Sequence, residues 1–201
     1  MKTLKFLTAT VVIALVFAFA LHASFLKWGQ TYGIGSVVDN FILKSINGNY
    51  VSLSDYKNSK GVILVFTSFR CPYSKNHDTK LQKLDKRYGP KGYSVIAIDP
   101  TISETDIFKR LRSQISKTDF SFPYLLDENQ EMAENFNVEK VPTAFILQKK
   151  KPGFVIRYFG PIDVFSDGEN KNHIDLVMAQ LLKTGKITTD KVKITGCRIK
   201  P

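Results

Sequence analysis

Cysteine is scarce in this sequence, and its scarcity limits the classes of protein that the chain can represent. The 201 residues include two cysteines, Cys71 and Cys197. Two cysteines are too few for the disulfide framework of a small secreted protein, but they are enough for one redox couple. The alternative is that both are unreactive thiols, because cysteine often serves as a small buried hydrophobe.

Histidine is also rare, which argues against a metal centre. The chain has three histidines, His22, His77 and His173. His22 lies in an N-terminal leader, and the other two have no cysteine or carboxylate partners at zinc-ligand spacing. We therefore assign no metal ligands. The Ser68 hydroxyl has no Ser-His-Asp context either, and we interpret it as a hydrogen-bond donor to Cys71 or a residue of an N-terminal turn.

Acidic residues are outnumbered by basic ones, 18 to 29, so the formal net charge is +11. A basic protein can bind nucleic acid, anionic lipid or acidic proteins. No nucleic-acid-binding motif accompanies the charge, so we expect no nucleic-acid partner and interpret the charge as a solvated surface. Internal repeats are absent, and the 43% hydrophobic content allows a sizeable core.

The N-terminus has the pattern of a targeting segment. Lys2 and Lys5 precede the uncharged apolar run Phe6–Leu21, which includes the small-residue cleavage signal Ala18-Phe19-Ala20. We therefore predict an exported protein, either periplasmic or anchored in the inner membrane and facing the periplasm. The predicted organisation is a signal peptide or membrane anchor over 1–23, a linker over 24–36, one domain over 37–183 and a C-terminal tail over 184–201.

One stretch combines a buried strand with a cysteine. The run Val62–Thr67 is apolar and β-branched, as in a strand buried on both faces. Cys71 follows, and Pro72 suits the first position of a helix that we predict to extend to about Tyr88. A helix N-terminus and the neighbouring Arg70 both stabilise a thiolate. The pattern therefore makes Cys71 a candidate nucleophile.

The rest of the chain alternates strands and helices, which predicts an α/β fold. Asn47-Gly48-Asn49 contains the Asn-Gly pair that is typical of a hairpin turn. Pro142 comes just before a buried strand, which is consistent with a turn or a strand edge. The predicted elements are a hairpin of Val38–Leu43 and Gly48–Leu53, strands Tyr93–Asp99, Ala144–Leu147 and Val155–Phe159, and helices Ser103–Ser116, Glu128–Phe136 and Asn170–Leu182.

The segment Phe66-Thr67-Ser68-Phe69-Arg70-Cys71-Pro72-Tyr73 resembles the active-site segment of the thioredoxin-like redoxins, closest to a peroxiredoxin-like (alkyl hydroperoxide reductase/thiol-specific antioxidant) bacterial branch. The resemblance runs from about Gly35 to the C-terminus and includes the ending Gly196–Lys200. Ser68 stands where thioredoxins carry the first cysteine of Cys-x-x-Cys, and it matches the Thr or Ser of peroxiredoxins. Leu64 stands where peroxiredoxins carry a proline.

The resemblance implies a thioredoxin-like fold, with a central mixed β-sheet flanked by helices, an N-terminal hairpin and a C-terminal tail. It implies that Pro142, in Val-Pro-Thr, is a cis proline facing Cys71, and it implies no cofactor. Cys71 is then the catalytic nucleophile, with Cys197 as a candidate resolving cysteine. The candidate supporting residues are Ser68, Arg70, Pro72, Pro142 and Thr143.

Three functions stay open from the sequence. A peroxiredoxin-like antioxidant would oxidise Cys71 to a sulfenic acid with peroxide. A thiol–disulfide exchange enzyme would form a mixed disulfide with a protein substrate. The third function is a degenerate, chaperone-like binding module without turnover.

The expected partners are a peroxide or a protein thiol/disulfide, a reducing partner protein, a membrane tether through residues 1–23, and a second copy in a homodimer. Cys197 could pair with Cys71 or across that dimer, or it could be a free tail thiol.

Overall fold

The computed structural model describes residues 31–75, 77–101, 120–166, 169–188 and 192–199. The predicted leader over 1–23, most of the linker and the predicted helix Ser103–Ser116 lie outside these ranges. Among the described helices, none is both long and apolar enough to cross a membrane.

An eight-stranded mixed sheet organises the described residues, in the order β1-β9-β8-β4-β5-β6-β2-β3. Two smaller pairs, β10 with β11 and β7 with β12, lie outside it. The strands are β1 Val37–Val38, β2 Ile42–Ser45, β3 Tyr50–Ser52, β4 Gly61–Phe66, β5 Tyr93–Asp99, β6 Tyr124–Leu126, β7 Lys140–Val141, β8 Thr143–Lys149, β9 Phe154–Gly160, β10 Asp163–Ser166, β11 Glu169–Asn172 and β12 Cys197–Arg198.

Strand β4 is the centre of the sheet, as its apolar sequence predicts. All of its side chains are buried. It pairs in parallel with β5, where Phe66 is opposite Ile98, and antiparallel with β8, where Phe66 is opposite Thr143. This register brings the carboxyl end of β4, the carboxyl end of β5 and the start of β8 to one edge of the sheet.

Helices cover both faces of the sheet, and each face carries its own hydrophobic cluster. One cluster includes the predicted apolar faces of two helices, Leu81, Leu84 and Tyr88 in one and Ile174, Val177, Met178 and Leu181 in the other. The opposite cluster includes Phe66, Phe136, Phe145 and Cys71. The helices are α1 Pro72–Lys75, α2 Asp78–Tyr88, α3 Glu131–Asn135 and α4 His173–Thr184, with 3₁₀ turns at Leu53–Tyr56 and Gly89–Lys91.

Several predicted boundaries were wrong for local reasons. The hairpin forms between β2 and β3 around Gly48, whose φ is 90°. Val38, however, pairs with β9 instead. The last helix begins at His173 rather than Asn170, because Glu169–Asn172 pairs with β10. Asn172 then caps the helix by accepting a hydrogen bond from the Asp175 N–H at 3.1 Å.

Candidate active site

Cys71 lies at the edge of the sheet where β4 has ended and α1 begins. Its N–H donates to the Ser68 carbonyl at 3.2 Å, and its own carbonyl accepts from the N–H groups of Ser74 and Lys75. The residue is 2% exposed. Cys71 therefore occupies the strand-to-helix position that the sequence predicts.

The helix after Cys71 is much shorter than predicted, and this is a correction. Helix α1 ends at Lys75, and α2 begins at Asp78. The His77 N–H turns back to the Ser74 carbonyl at 2.8 Å, while His77 Nδ1 lies 2.6 Å from the Tyr73 carbonyl oxygen. A single helical turn carries little macrodipole, so helix-terminus stabilisation of a Cys71 thiolate is weaker than the sequence suggests.

Cys71 and Cys197 form an intrachain disulfide. Their Cα atoms are 5.8 Å apart, across a sequence separation of 126 residues, which is within the usual Cα separation of disulfides. Cys197 belongs to β12, where it lies opposite Val141 in an antiparallel pair with β7. The structure thus brings the two cysteines of the chain together, within one subunit.

The loop that faces Cys71 contains the predicted proline. The Val141–Pro142 peptide bond is cis, as the resemblance implies. The Cys71 Sγ lies 3.4 Å from the Val141 carbonyl oxygen. The buried Thr143 hydroxyl donates to the Lys140 carbonyl at 2.6 Å, which ties the two sides of the proline together.

Gly196 allows the tail to come close to this loop. A Cβ at position 196 would lie 2.1 Å from the Val141 carbonyl oxygen and 2.8 Å from the Val141 carbonyl carbon. Real Cβ atoms do not approach backbone this closely, so a side chain at this position would push the tail away. Glycine has no Cβ, so at this position it allows the tail to lie against the loop.

Ser68 and Arg70 shape the loop before Cys71 without a side-chain bond to the sulfur. The Ser68 hydroxyl shares a 2.6 Å hydrogen bond with the Thr101 hydroxyl and accepts from the Arg70 N–H at 3.1 Å. Ser68 is therefore a turn residue. Its hydroxyl bonds to Thr101 and to the Arg70 N–H rather than to Cys71. The Arg70 side chain is exposed, as is Pro72.

Sequence reasoning missed a buried carboxylate beneath the Cys71 loop. Asp99 is fully buried at the end of β5. Its Oδ2 accepts from the Phe69 N–H at 3.1 Å and the Tyr124 hydroxyl at 2.9 Å, and its Oδ1 accepts from the N–H and hydroxyl of Thr101. Burial raises the pKa of Asp99, and these hydrogen bonds oppose that shift.

A sequence signal for Asp99 did exist. It is a charged residue at the carboxyl end of an apolar strand next to β4, and the carboxyl ends of adjacent parallel strands meet at one edge of the sheet. One of the four hydrogen bonds holds the backbone N–H of Phe69, two residues before Cys71, so Asp99 helps to position the loop.

Comparisons with known proteins identify the family and the fold. The sequence profile of the AhpC/TSA family matches residues 34–158. The thiol-disulfide oxidoreductase ResA of Bacillus cereus is 28% identical over 131 residues, which is 65% of this chain and 73% of the relative.

Two solved structures show a similar fold. A protein of unassigned function from Sinorhizobium meliloti superposes with a TM-score of 0.72, at 24% identity, over 85% of this chain and 95% of the other. The exposed lipoprotein thioredoxin of Streptococcus pneumoniae superposes with a TM-score of 0.54, at 20% identity, over 70% of this chain and 99% of the other. The predicted thioredoxin-like fold is thereby confirmed.

Proposed function

We propose that this chain, which belongs to the AhpC/TSA family, is an exported thiol–disulfide exchange enzyme with Cys71 as nucleophile and Cys197 as resolving cysteine. The family and the named relatives make the chain a redoxin-type oxidoreductase, and it has a cysteine pair. The proposal adds the substrate, the two cysteine roles and the export. The observation that carries it is the Cys71–Cys197 bond across the cis-proline loop.

The proposed reaction has two exchange steps. The Cys71 thiolate attacks one sulfur of a substrate disulfide, forms a mixed disulfide and releases the other sulfur as a thiolate. The Cys197 thiolate then attacks the Cys71 sulfur and releases the substrate cysteine, also as a thiolate. Two electrons pass from the protein dithiol to the substrate, and the product is the disulfide seen here. A partner with a reduced dithiol must return these electrons for turnover.

The division of roles follows from where each cysteine lies. Cys71 follows the central strand, inside the matched family segment 34–158. Cys197 lies on the tail, beyond that segment, and occupies the position from which it can reach the Cys71 sulfur. This assignment places the nucleophile in the family segment and the resolving thiol on the tail. Pairing of Cys71 with Cys197 is one of the alternatives that the sequence left open.

Export is supported by the leader over 1–23, which has the charge and apolar pattern of a targeting segment. A reporter enzyme fused after Ser24 tests this directly, since the proposal requires its activity outside the cytosol, and a reporter retained in the cytosol would contradict it.

Peroxide reduction is the second candidate, because the matched family includes the alkyl hydroperoxide reductases by name. In that reaction Cys71 takes an oxygen atom from peroxide to become a sulfenic acid, and Cys197 condenses with it and releases water. Both reactions end in the same disulfide, so only a kinetic comparison separates them.

The test is to mix the reduced protein separately with a disulfide-bonded peptide and with hydrogen peroxide, and to follow formation of the Cys71–Cys197 bond. The proposal expects faster closure with the disulfide at equal concentrations, and no closure in Cys71→Ser. Preferential closure with peroxide would favour the second candidate. Failure of both reagents to oxidise the pair would leave the binding-module function.

A further inference from the structure

Part of the excess positive charge of the chain is gathered at the end of the sheet opposite Cys71. Three segments meet there: the loop 57–60 before β4, the 3₁₀ turn Gly89–Lys91 before β5, and the turn 149–153 between β8 and β9. Their sequences contain no acidic residue and six lysines, Lys57, Lys60, Lys91, Lys149, Lys150 and Lys151. We call this surface, formed by residues 57–60, 89–92 and 149–153, the lysine end.

Backbone hydrogen bonds tie the three segments into one surface. The N–H groups of Lys60 and Gly61 both donate to the Gly92 carbonyl, at 2.9 and 3.1 Å, and the Lys149 N–H donates to the Lys60 carbonyl at 2.8 Å. Gly92 has a φ of 89°, and a Cβ there would lie 3.0 Å from the Lys60 Cγ. The lysines of the three segments are therefore held together by the fold, although they are far apart in sequence.

The lysine side chains are available to a partner. Within the part of the chain that the structure describes, none of the six forms an ion pair. Two of them lie over aromatic rings, Lys91 at 5.0 Å from the centroid of Tyr88 and Lys149 at 4.6 Å from that of Phe154. The exposed lysines at this end are Lys57, Lys60, Lys91, Lys150 and Lys151.

Acidic residues on the adjoining segments are engaged elsewhere in the fold. Asp55 accepts a hydrogen bond from a backbone N–H at 2.8 Å, and Asp85 accepts one at 3.1 Å. Asp39 accepts from the Tyr32 hydroxyl at 3.2 Å. Three carboxylates do not balance six lysines, so the lysine end keeps a positive charge.

The choice of lysine indicates the kind of partner. Arginine is the residue that binds phosphate or carboxylate in a fixed bidentate geometry, and lysine is depleted in protein–protein interfaces. Clustered lysines instead provide the diffuse attraction that holds proteins to anionic lipid. The targeting pattern of residues 1–23 also directs the chain to a membrane. No nucleic-acid-binding motif accompanies these lysines.

We propose that the lysine end is a docking surface for an anionic lipid bilayer, and that docking holds the domain with Cys71 facing away from the membrane. Strands β4 and β8 have six and seven residues, so they separate the two ends of the sheet by about 20 Å. This separation exceeds the Debye length of about 8 Å at physiological ionic strength. The lipid charge therefore leaves Cys71 undisturbed and open to protein partners. The docking surface does not depend on which reaction Cys71 performs.

The test measures binding of the full chain to two kinds of vesicle, phosphatidylcholine alone and phosphatidylcholine mixed with phosphatidylglycerol. The test variant is Lys60→Gln/Lys150→Gln/Lys151→Gln. The control variant removes the same charge from three lysines that are exposed elsewhere, Lys75→Gln/Lys83→Gln/Lys186→Gln. The ratio of binding to the two vesicles isolates the effect of lipid charge, because the apolar leader is common to all three proteins.

We expect the native protein to prefer the anionic vesicles at low salt and to lose that preference as salt is added. The test variant should lose about fivefold of the preference for each lysine removed, and the control variant should lose much less. Equal losses in the two variants, or no preference in the native protein, would overturn the docking surface. So would a test variant that loses binding to a single-stranded oligonucleotide and keeps its binding to vesicles.

A second measurement tests the orientation without changing any lysine. In Cys197→Ser, a membrane-impermeant maleimide should alkylate Cys71 as fast on anionic vesicles as in solution, because the lysine end is the face in contact with lipid. A rate on vesicles about tenfold lower would show that lipid covers the Cys71 end and would contradict the proposal.

Discussion

Two regions of very different construction meet in one sulfur–sulfur bond. Cys71 follows β4, in which every side chain from Val62 to Phe66 is fully buried, and the backbone of Phe69 before it is held by Asp99. Cys197 lies in a two-residue strand, with Arg198 exposed. The Cys71 region is therefore fixed by the core of the domain, whereas the Cys197 region is fixed by a short ladder and the disulfide itself.

This difference in construction matches the different roles that we propose for the two cysteines. A nucleophile needs a constant position relative to the cis-proline loop, and packing around β4 provides it. A resolving cysteine must move away to admit a substrate and then return. A tail held by few non-covalent contacts can make this movement. Stability and reactivity measurements on variants of each region test this difference in roles.

The disulfide should have the largest effect on stability, because it is the main tie of the tail. Closing a loop of 126 residues stabilises the folded state by up to about 5 kcal/mol in the entropic treatment. Urea unfolding of the oxidised and reduced protein measures this difference. The Cys71→Ser/Cys197→Ser double variant is the control, since reductant should not change its stability. An oxidised protein no more stable than the reduced one would contradict the contrast.

Truncation of one apolar side chain in each region compares their contributions to stability. Phe66 is fully buried between Phe136 and Phe145, so Phe66→Ala should cost about 3–5 kcal/mol of unfolding free energy. Ile199 in the tail is only partly buried, and Ile199→Ala should cost about 1 kcal/mol. Denaturant unfolding of the oxidised proteins gives both values. The contrast fails if the tail variant loses as much stability as the core variant.

Asp99 tests whether the loop before Cys71 is held by polar contacts as well as by packing. Asp99→Asn replaces one acceptor oxygen by a donor, so at least one hydrogen bond is lost, at about 1–3 kcal/mol. Burial raises the pKa of Asp99, so the folded native protein binds more protons than the unfolded chain as pH rises above the unfolded pKa of about 3.9. Native stability therefore falls with rising pH.

The cost of Asp99→Asn should consequently shrink as pH increases, because asparagine has no proton to lose. Stability measured at acidic, neutral and alkaline pH checks this trend. Glu134→Gln, at an exposed position of α3, is the matched control and should show little cost at any pH. A cost of Asp99→Asn that grows with pH would contradict the assignment.

The smallest effect concerns Asp78, in the first turn of α2. Burial raises its pKa to about 6, so the folded protein loses stability as pH rises from the unfolded pKa of about 3.9 to about 6. The side chain is partly exposed, so the gain from Asp78→Asn at neutral pH should be only about 1 kcal/mol or less. The gain should vanish below pH of about 4. Equal stability of the two proteins at neutral pH would contradict the burial effect.

The Cys71 region is also the one that the sequence predicts better. Strand β4 and the cysteine position follow from the apolar run Val62–Phe66 and from Pro72, because both are local patterns. The cis bond before Pro142 follows from the family resemblance alone. The break between α1 and α2, where the His77 ring faces the Tyr73 carbonyl, was not predictable from periodicity.

The Cys197 region was predictable only in outline. The pairing of Cys197 with Cys71 was one of several open alternatives, because it depends on β12 pairing with β7, and a two-residue strand carries no periodic signal. The β10–β11 pair was missed for a different reason. Its strands include Glu169–Asn172, which lacks the β-branched residues that mark strands, although Asp167-Gly168 is a hairpin signal in the sequence.

The central claim is that a core-fixed Cys71 attacks the substrate and a tail-borne Cys197 resolves it. The most direct measurement is mass analysis after the reduced protein meets one equivalent of a disulfide-bonded peptide, with native protein and Cys197→Ser compared. The claim predicts a Cys71–Cys197 disulfide and free peptide thiol from the native protein, and a stable peptide adduct on Cys71 from Cys197→Ser. A peptide adduct on Cys197 of the native protein, with Cys71 still open to alkylation, would contradict it.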